Sequence, residues 1–178
     1  MPEAFAPILA VGGKSNSLGR AEEVVQKVLQ DKTRLDELYD CLFEEDAWLR
    51  MRAADSLEKV CRVHPEWFEP YTERLLHEIA KRDQPSLQWH LAQMLGEINL
   101  TPAQRQAAIH WLETKLNNTT VDWIVAANAM ATLVQFAHEG SVPKAQIIPL
   151  LKNQQEHHSK AVVKRAAKLL NQLGADNK

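Results

Sequence analysis

Long hydrophobic runs, alternating β-branched stretches and cysteine clusters are all missing from this chain, and each absence removes a class of protein. No apolar stretch is long enough to span a bilayer, so no membrane segment is expected. The opening Met-Pro-Glu-Ala-Phe-Ala-Pro-Ile-Leu-Ala-Val-Gly-Gly is apolar in part, but it has no basic region and Pro7 interrupts it, which makes a poor signal peptide. The two cysteines, Cys41 and Cys61, have neither CxxC spacing nor neighbouring ligands. They read as reduced core residues of a cytoplasmic protein, with a disulfide between them as the alternative. Six glycines are too few for an easily assembled phosphate cradle, and no nucleophile elbow, phosphate loop or His-Glu-x-x-His helix occurs. No cofactor is expected. A formal charge of -2 gives no global attraction to nucleic acid or anionic lipid.

Against those absences stands an ordinary soluble composition, 45% hydrophobic and 25% charged, in a chain long enough for one domain with a continuous core. Charge is unevenly spread: residues 31–59 hold nine acids against five bases, while 152–178 hold six bases against Glu156 and Asp176. Solvated helix faces that suit the helix dipoles account for this pattern most simply. Apolar residues recur at steps of three and four from Ala21 to Leu173, which predicts helices almost throughout. Turn residues such as His64-Pro65, Asn99 to Pro102 and Glu139-Gly140-Ser141 divide the pattern into nine helices. Thr101-Pro102-Ala103-Gln104 is the clearest start, with a capping threonine, a first-turn proline and a glutamine placed for a capping box. Residues 1–16 read as a flexible arm hinged at Gly12, Gly13, Ser15 and Asn16, and 17–178 as a single repeat domain.

The chain repeats itself. Leu49 to Leu57 superposes on Leu87 to Leu95 and on Val125 to Leu133 at offsets of 38 residues, and Val162 to Leu170 follows at 37. Leucine fills one column in all four copies (Leu57, Leu95, Leu133, Leu170). Apolar columns flank it at Val60, Ile98, Phe136 and Leu173 and at Leu49, Leu87, Val125 and Val162, with a mostly small column at Ala53, Leu91, Ala129 and Ala166. These columns lie about one helical turn apart, so each copy buries one stripe. A lone helix pair cannot hide such a stripe, whereas stacked pairs form a continuous core.

Asp46-Ala47-Trp48-Leu49-Arg50, followed by Ala53-Ala54 and Leu57, resembles the second helix of a HEAT repeat, and Leu35 to Leu42 resembles the first. The likeness covers roughly residues 33–173, with an extra capping helix near 20–30, and the combination of Arg50 to Val60 with Trp89 to Leu95 is similar to small bacterial HEAT-like proteins of uncharacterised role. It implies an all-α fold: a right-handed α-α superhelix of the HEAT/armadillo kind, about four helix pairs plus the N-terminal cap. The second helices would line a concave face. On that face the columns through residues 52, 55 and 59 are polar at eleven of twelve positions. The implied groove contains Arg52, Asp55, Trp89, His90, Gln93, Asn128, Lys164, Arg165 and Lys168. Trp89, and more weakly Trp48, would serve as aromatic anchors, the remaining tryptophans belonging to the core or its rim.

The expected function is a non-catalytic scaffold that holds a peptide or protein segment on this polar face. Nucleic acid is not expected as a partner. An enzymatic alternative is the HEAT-like DNA glycosylase group, whose groove chemistry Trp89, Asp55, Arg52 and Arg165 could supply, although so few bases would neutralise few phosphates. His77-Glu78 and His138-Glu139 resemble the iron-binding pairs of deoxyhypusine hydroxylases. That enzyme type needs four converging pairs, so these two read as solvent-side residues and no metal site is expected.

Overall fold

The computed structural model describes residues 3–175, and every regular element among them is helical. The chain forms two compact units, residues 1–68 and 69–178.

In the first unit, α1 (Phe5–Ala10) and α2 (Ala21–Gln30) precede α3 (Leu35–Asp40), a short helix flanked by 3-10 turns at Lys32–Arg34 and Cys41–Phe43, and α4 (Ala47–Val63). The Asp46 carboxylate caps α4 by accepting from the Trp48 N–H at 2.8 Å. The helix then buries Leu49, Ala53, Leu57 and Val60 against α2. In α2 the buried residues are Ala21, Val24, Val25 and Val28, at the same spacing as Ala53, Ser56, Leu57 and Val60. The expected cap therefore carries the repeat's own stripe.

The N-terminal segment is not the loose arm that its composition suggests. Phe5, Ile8 and Leu9 follow helical spacing and are fully buried. Pro7 does not break α1 because it falls in the first turn, where backbone N–H groups have no intrahelical acceptor to lose. Phe5 N donates to Glu37 Oε1 at 2.7 Å, and the Arg34 guanidinium lies 3.8 Å over the Phe5 ring. Gly19 closes the turn that follows. Its φ is +53°, and a Cβ there would stand 1.9 Å from the Val11 carbonyl oxygen, so no other residue fits without moving the backbone.

The second unit begins with α5 (Thr72–Arg74), which runs into a π-helical turn over Leu75–Ile79 closed by Ala80 N donating to Leu75 O at 3.0 Å. After it come α6 (Pro85–Glu97), α7 (Pro102–Leu116), α8 (Trp123–His138), α9 (Lys144–Gln154) and α10 (Lys160–Gln172). The capping box at Thr101 and Gln104 is formed as the sequence predicts. Helix α8 packs on both α6 and α10. Thr132 donates its hydroxyl to Ala92 O at 2.8 Å, whereas Ser56, at the matching place in the first unit, donates to Arg52 O of its own helix at 2.8 Å and lies 3.4 Å from Ala21 O. Gly96 permits the close crossing of α6 and α8, since a Cβ on it would lie 3.0 Å from Gln135 Oε1.

All sixteen residues of the four apolar columns are buried, Leu49 being the most exposed at 6%. Side chains of α9 and the turn after it hold the connection between α7 and α8. Gln154 donates to Leu116 O at 2.8 Å, and His157 donates from Nε2 to Val121 O at 2.8 Å while its Nδ1 accepts from Ser159 N. The carbonyls of one turn are thus satisfied by the repeat that follows it.

Both cysteines are buried and neither forms a disulfide, which sets aside the disulfide alternative. Burial, reinforced by Glu44, Glu37 and Asp40, pushes the Cys41 thiol up to about 12 from 9.0. Because the folded state holds this proton more tightly, the stability it contributes is complete below pH 9.0 and is lost as pH rises toward about 12. Folded protein is expected to resist alkylation by iodoacetamide at neutral pH, with labelling of Cys41 and Cys61 appearing on addition of denaturant; mass spectrometry before and after unfolding checks this.

Candidate functional site

The nine residues of the expected groove meet very different fates. Arg52 is fully buried in the first unit. Its Nε donates to Ser17 O at 2.8 Å, Nη1 to Leu9 O at 3.0 Å, and Nη2 to Gly13 O at 2.6 Å and Ser15 O at 3.2 Å. A guanidinium engaged with four backbone carbonyls has no free fork for a partner or a phosphate, so Arg52 belongs to the framework. Asp55, half-buried, is held by Lys59 at 3.0 Å. These placements give the glycosylase alternative no support, because Arg52 and Asp55 are two of the four groove residues it requires.

In the second unit His90 is buried, and Trp89 is half-buried with its ring centroid 3.5 Å from that of His90. Gln93 donates to Asn128 Oδ1 at 3.0 Å, and Asn128 donates to Ile124 O at 2.9 Å. These polar residues bind α6 to α8 rather than standing open. Trp48, in the first unit, is half-buried.

Lys164, Arg165 and Lys168 are the three that remain exposed, and they line a cleft between α8 and α10. One part of it, about 550 Å³, has Ala131, Val134 and Leu169 on its floor and Gln135, His138 and Glu139 at its end. The adjoining part, about 340 Å³, is walled by Trp123 and Ala127 from α8 and by Lys164 from α10. Arg165 and Lys168 border both parts, so the two form one groove. Along α8 it runs from Trp123 to His138, roughly 22 Å at the helical rise.

Trp123 is the candidate residue that the apolar and polar columns do not reveal. It is 50% exposed, the first residue of α8, beside three cations. A signal for it lies two positions before the Leu49 column, where the copies read Ala47, Pro85, Trp123 and Lys160, all exposed. Large aromatics at an outward column are not needed for packing, which singles Trp123 out.

The cations have no carboxylate partner among the described residues, and Lys160, one turn before Lys164, has none either. The helix-dipole reading holds for Asp36 and Glu37 in the first turn of α3 and for Lys152 in the last turn of α9, but not for the cations of α10. Lys160 opens α10, where a cation is unfavourable, while Lys164, Arg165 and Lys168 lie in its middle turns, beyond the reach of either end, and no basic residue falls in its last turn. At the far end of the cleft Glu139 is already neutralised by Arg105 at 2.5 Å and accepts from Gln135 at 2.9 Å.

Comparison with known families settles the repeat type: a profile of the HEAT repeat domain matches residues 14–118, more than half of the chain. The chain belongs to the HEAT repeat family. That match begins ahead of α2, in keeping with the repeat-like stripe that α2 carries. No curated protein and no solved structure matches the chain. Within this HEAT protein no helix of the described residues is long and apolar enough to cross a membrane. Nor do three or more His, Cys, Asp or Glu side chains among them form a group that could hold a metal ion. His77 instead pairs with Glu73 at 3.3 Å, and His138 and Glu139 lie exposed at the cleft.

Proposed function

We propose that this HEAT repeat protein is an interaction scaffold that holds a segment of another protein in the cleft between α8 and α10. The observation that carries the reading is the exposed Trp123 placed beside an open, apolar-floored groove rather than in the core. An exposed tryptophan at a groove wall is the residue type that anchors protein partners, because it removes a large area from water at little cost in side-chain freedom. HEAT repeats commonly mediate protein interaction, and the polar columns between α6 and α8 leave the α8–α10 groove as the open part of the expected face.

A photo-cross-linking amino acid at Ala131, inside the cleft, compared with one at the exposed Gln106 of α7, tests this in the cell of origin. Protein adducts from Ala131 that are absent from Gln106 are the expected result. Equal adducts from both positions, or none from Ala131, would reject the cleft as a protein site.

A further inference from the structure

Four cations on the outward side of α10 have no structural task that the fold reveals. Lys160, Lys164 and Lys168 stand four residues apart and so share one helix face over roughly 12 Å, with Arg165 beside them. All four are exposed and lack a carboxylate partner among the described residues. Lys160 opens the helix, and the cluster stays clear of its last turn, where cations would stabilise it. Lys160 therefore works slightly against the helix that bears it and the other three gain nothing from its dipole, as binding residues often do and solubilising ones need not.

The geometry points to an acidic protein segment as the occupant of this cleft, one in which carboxylates flank an apolar side chain. This rests on the reading of the cleft as a protein-binding site. Carboxylates would meet Lys164, Arg165 and Lys168, while the apolar group would lie in one part of the cleft, on Ala131 and Leu169, or in the other, against Ala127 and Trp123. Ala127 and Ala131, one turn apart on α8, keep that floor low enough for a side chain to enter. The groove of roughly 22 Å matches about seven residues of extended chain at 3.3 Å each. A nucleic acid fits less well, because a cationic strip of roughly 12 Å spans few phosphates.

The test is fluorescence anisotropy with a labelled short peptide of alternating glutamate and leucine, its counterpart with lysine for glutamate, and a single-stranded oligonucleotide. The acidic peptide should bind best, and added salt should weaken it. Lys164→Glu with Lys168→Glu should lower its affinity by roughly tenfold or more, and Trp123→Ala by about tenfold. Because Lys164 and Lys168 are exposed, the charge-reversed protein should melt close to the parent, which separates loss of binding from loss of fold. Preference for the lysine peptide or the oligonucleotide would overturn the inference, as would undiminished binding in the charge-reversed protein. If cross-links from Ala131 capture a partner whose captured segment is not acidic, this inference fails while the protein-binding reading stands. If Ala131 gives no adduct, the reading itself fails.

Discussion

Leu133→Ala is expected to destabilise the protein by about 2–5 kcal/mol, among the largest effects available to one substitution in the second unit. Leu133 is fully buried on α8, the helix that packs on α6, α7, α9 and α10. Truncating it removes apolar contact on several sides at once and leaves a cavity that rigid neighbouring helices cannot close. The midpoint of urea unfolding, followed by tryptophan fluorescence, measures the loss. Gln106→Ala, on the exposed side of α7, should change it by no more than about 0.5 kcal/mol.

Arg52→Met should cost about 3 kcal/mol, and its effect should be local. The methionine keeps much of the stem but removes the donors that satisfy the carbonyls of Leu9, Gly13, Ser15 and Ser17. Those carbonyls then lose a charge-assisted partner in a site where water enters poorly. The chain from α1 to Gly19 should loosen as a consequence. Trypsin should cut at Lys14, which lies in the exposed turn, faster than in the parent protein, and the amides of α1 should exchange faster, while those of α8 keep their protection. Unchanged cleavage at Lys14 would mean that Arg52 does not hold the segment.

These two residues mark what periodicity in a sequence reveals and what it hides. Leu133 is legible because its environment is set by the repeat itself: the same column in every copy faces the same kind of neighbours. Arg52 is not, because its environment is set by α1 and the turn to Gly19, which repeat nothing. A polar residue at a column edge looks solvent-facing until the chain that covers it is placed. Pro7, Gly12 and Gly13 give that chain the composition of a loose arm, yet Pro7 falls in a first turn and the glycines shape a turn closed over a guanidinium. Likewise α2 resembles a cap in sequence because its stripe stands only 32 residues before that of α4, shortened by the brief α3.

The cleft is half legible in the sequence. Lys164, Arg165 and Lys168 emerge from the columns because they lie opposite the buried stripe of α10. Trp123 does not, because it precedes the first apolar column, at the helix start where stripe arguments fade. Polarity alone places His90, Gln93 and Asn128 in the groove, and polarity does not distinguish a side chain that greets a partner from one that ties two helices together. Gln93 and Asn128 do the latter.

Cysteine scanning tests the repeat register most directly. Leu57, Leu95, Leu133 and Leu170 are each replaced singly by cysteine, as are Ala47, Trp123 and Lys160 of the outward column, and thiol labelling rates are compared in the native protein. The buried Cys41 and Cys61 supply little background. All four leucine-column thiols should react only as fast as the protein opens, and the outward-column thiols at the rate of a free cysteine. A leucine-column thiol that labels as fast as the one at Ala47 would contradict the shared stripe, and with it the placement of the cleft on its reverse side.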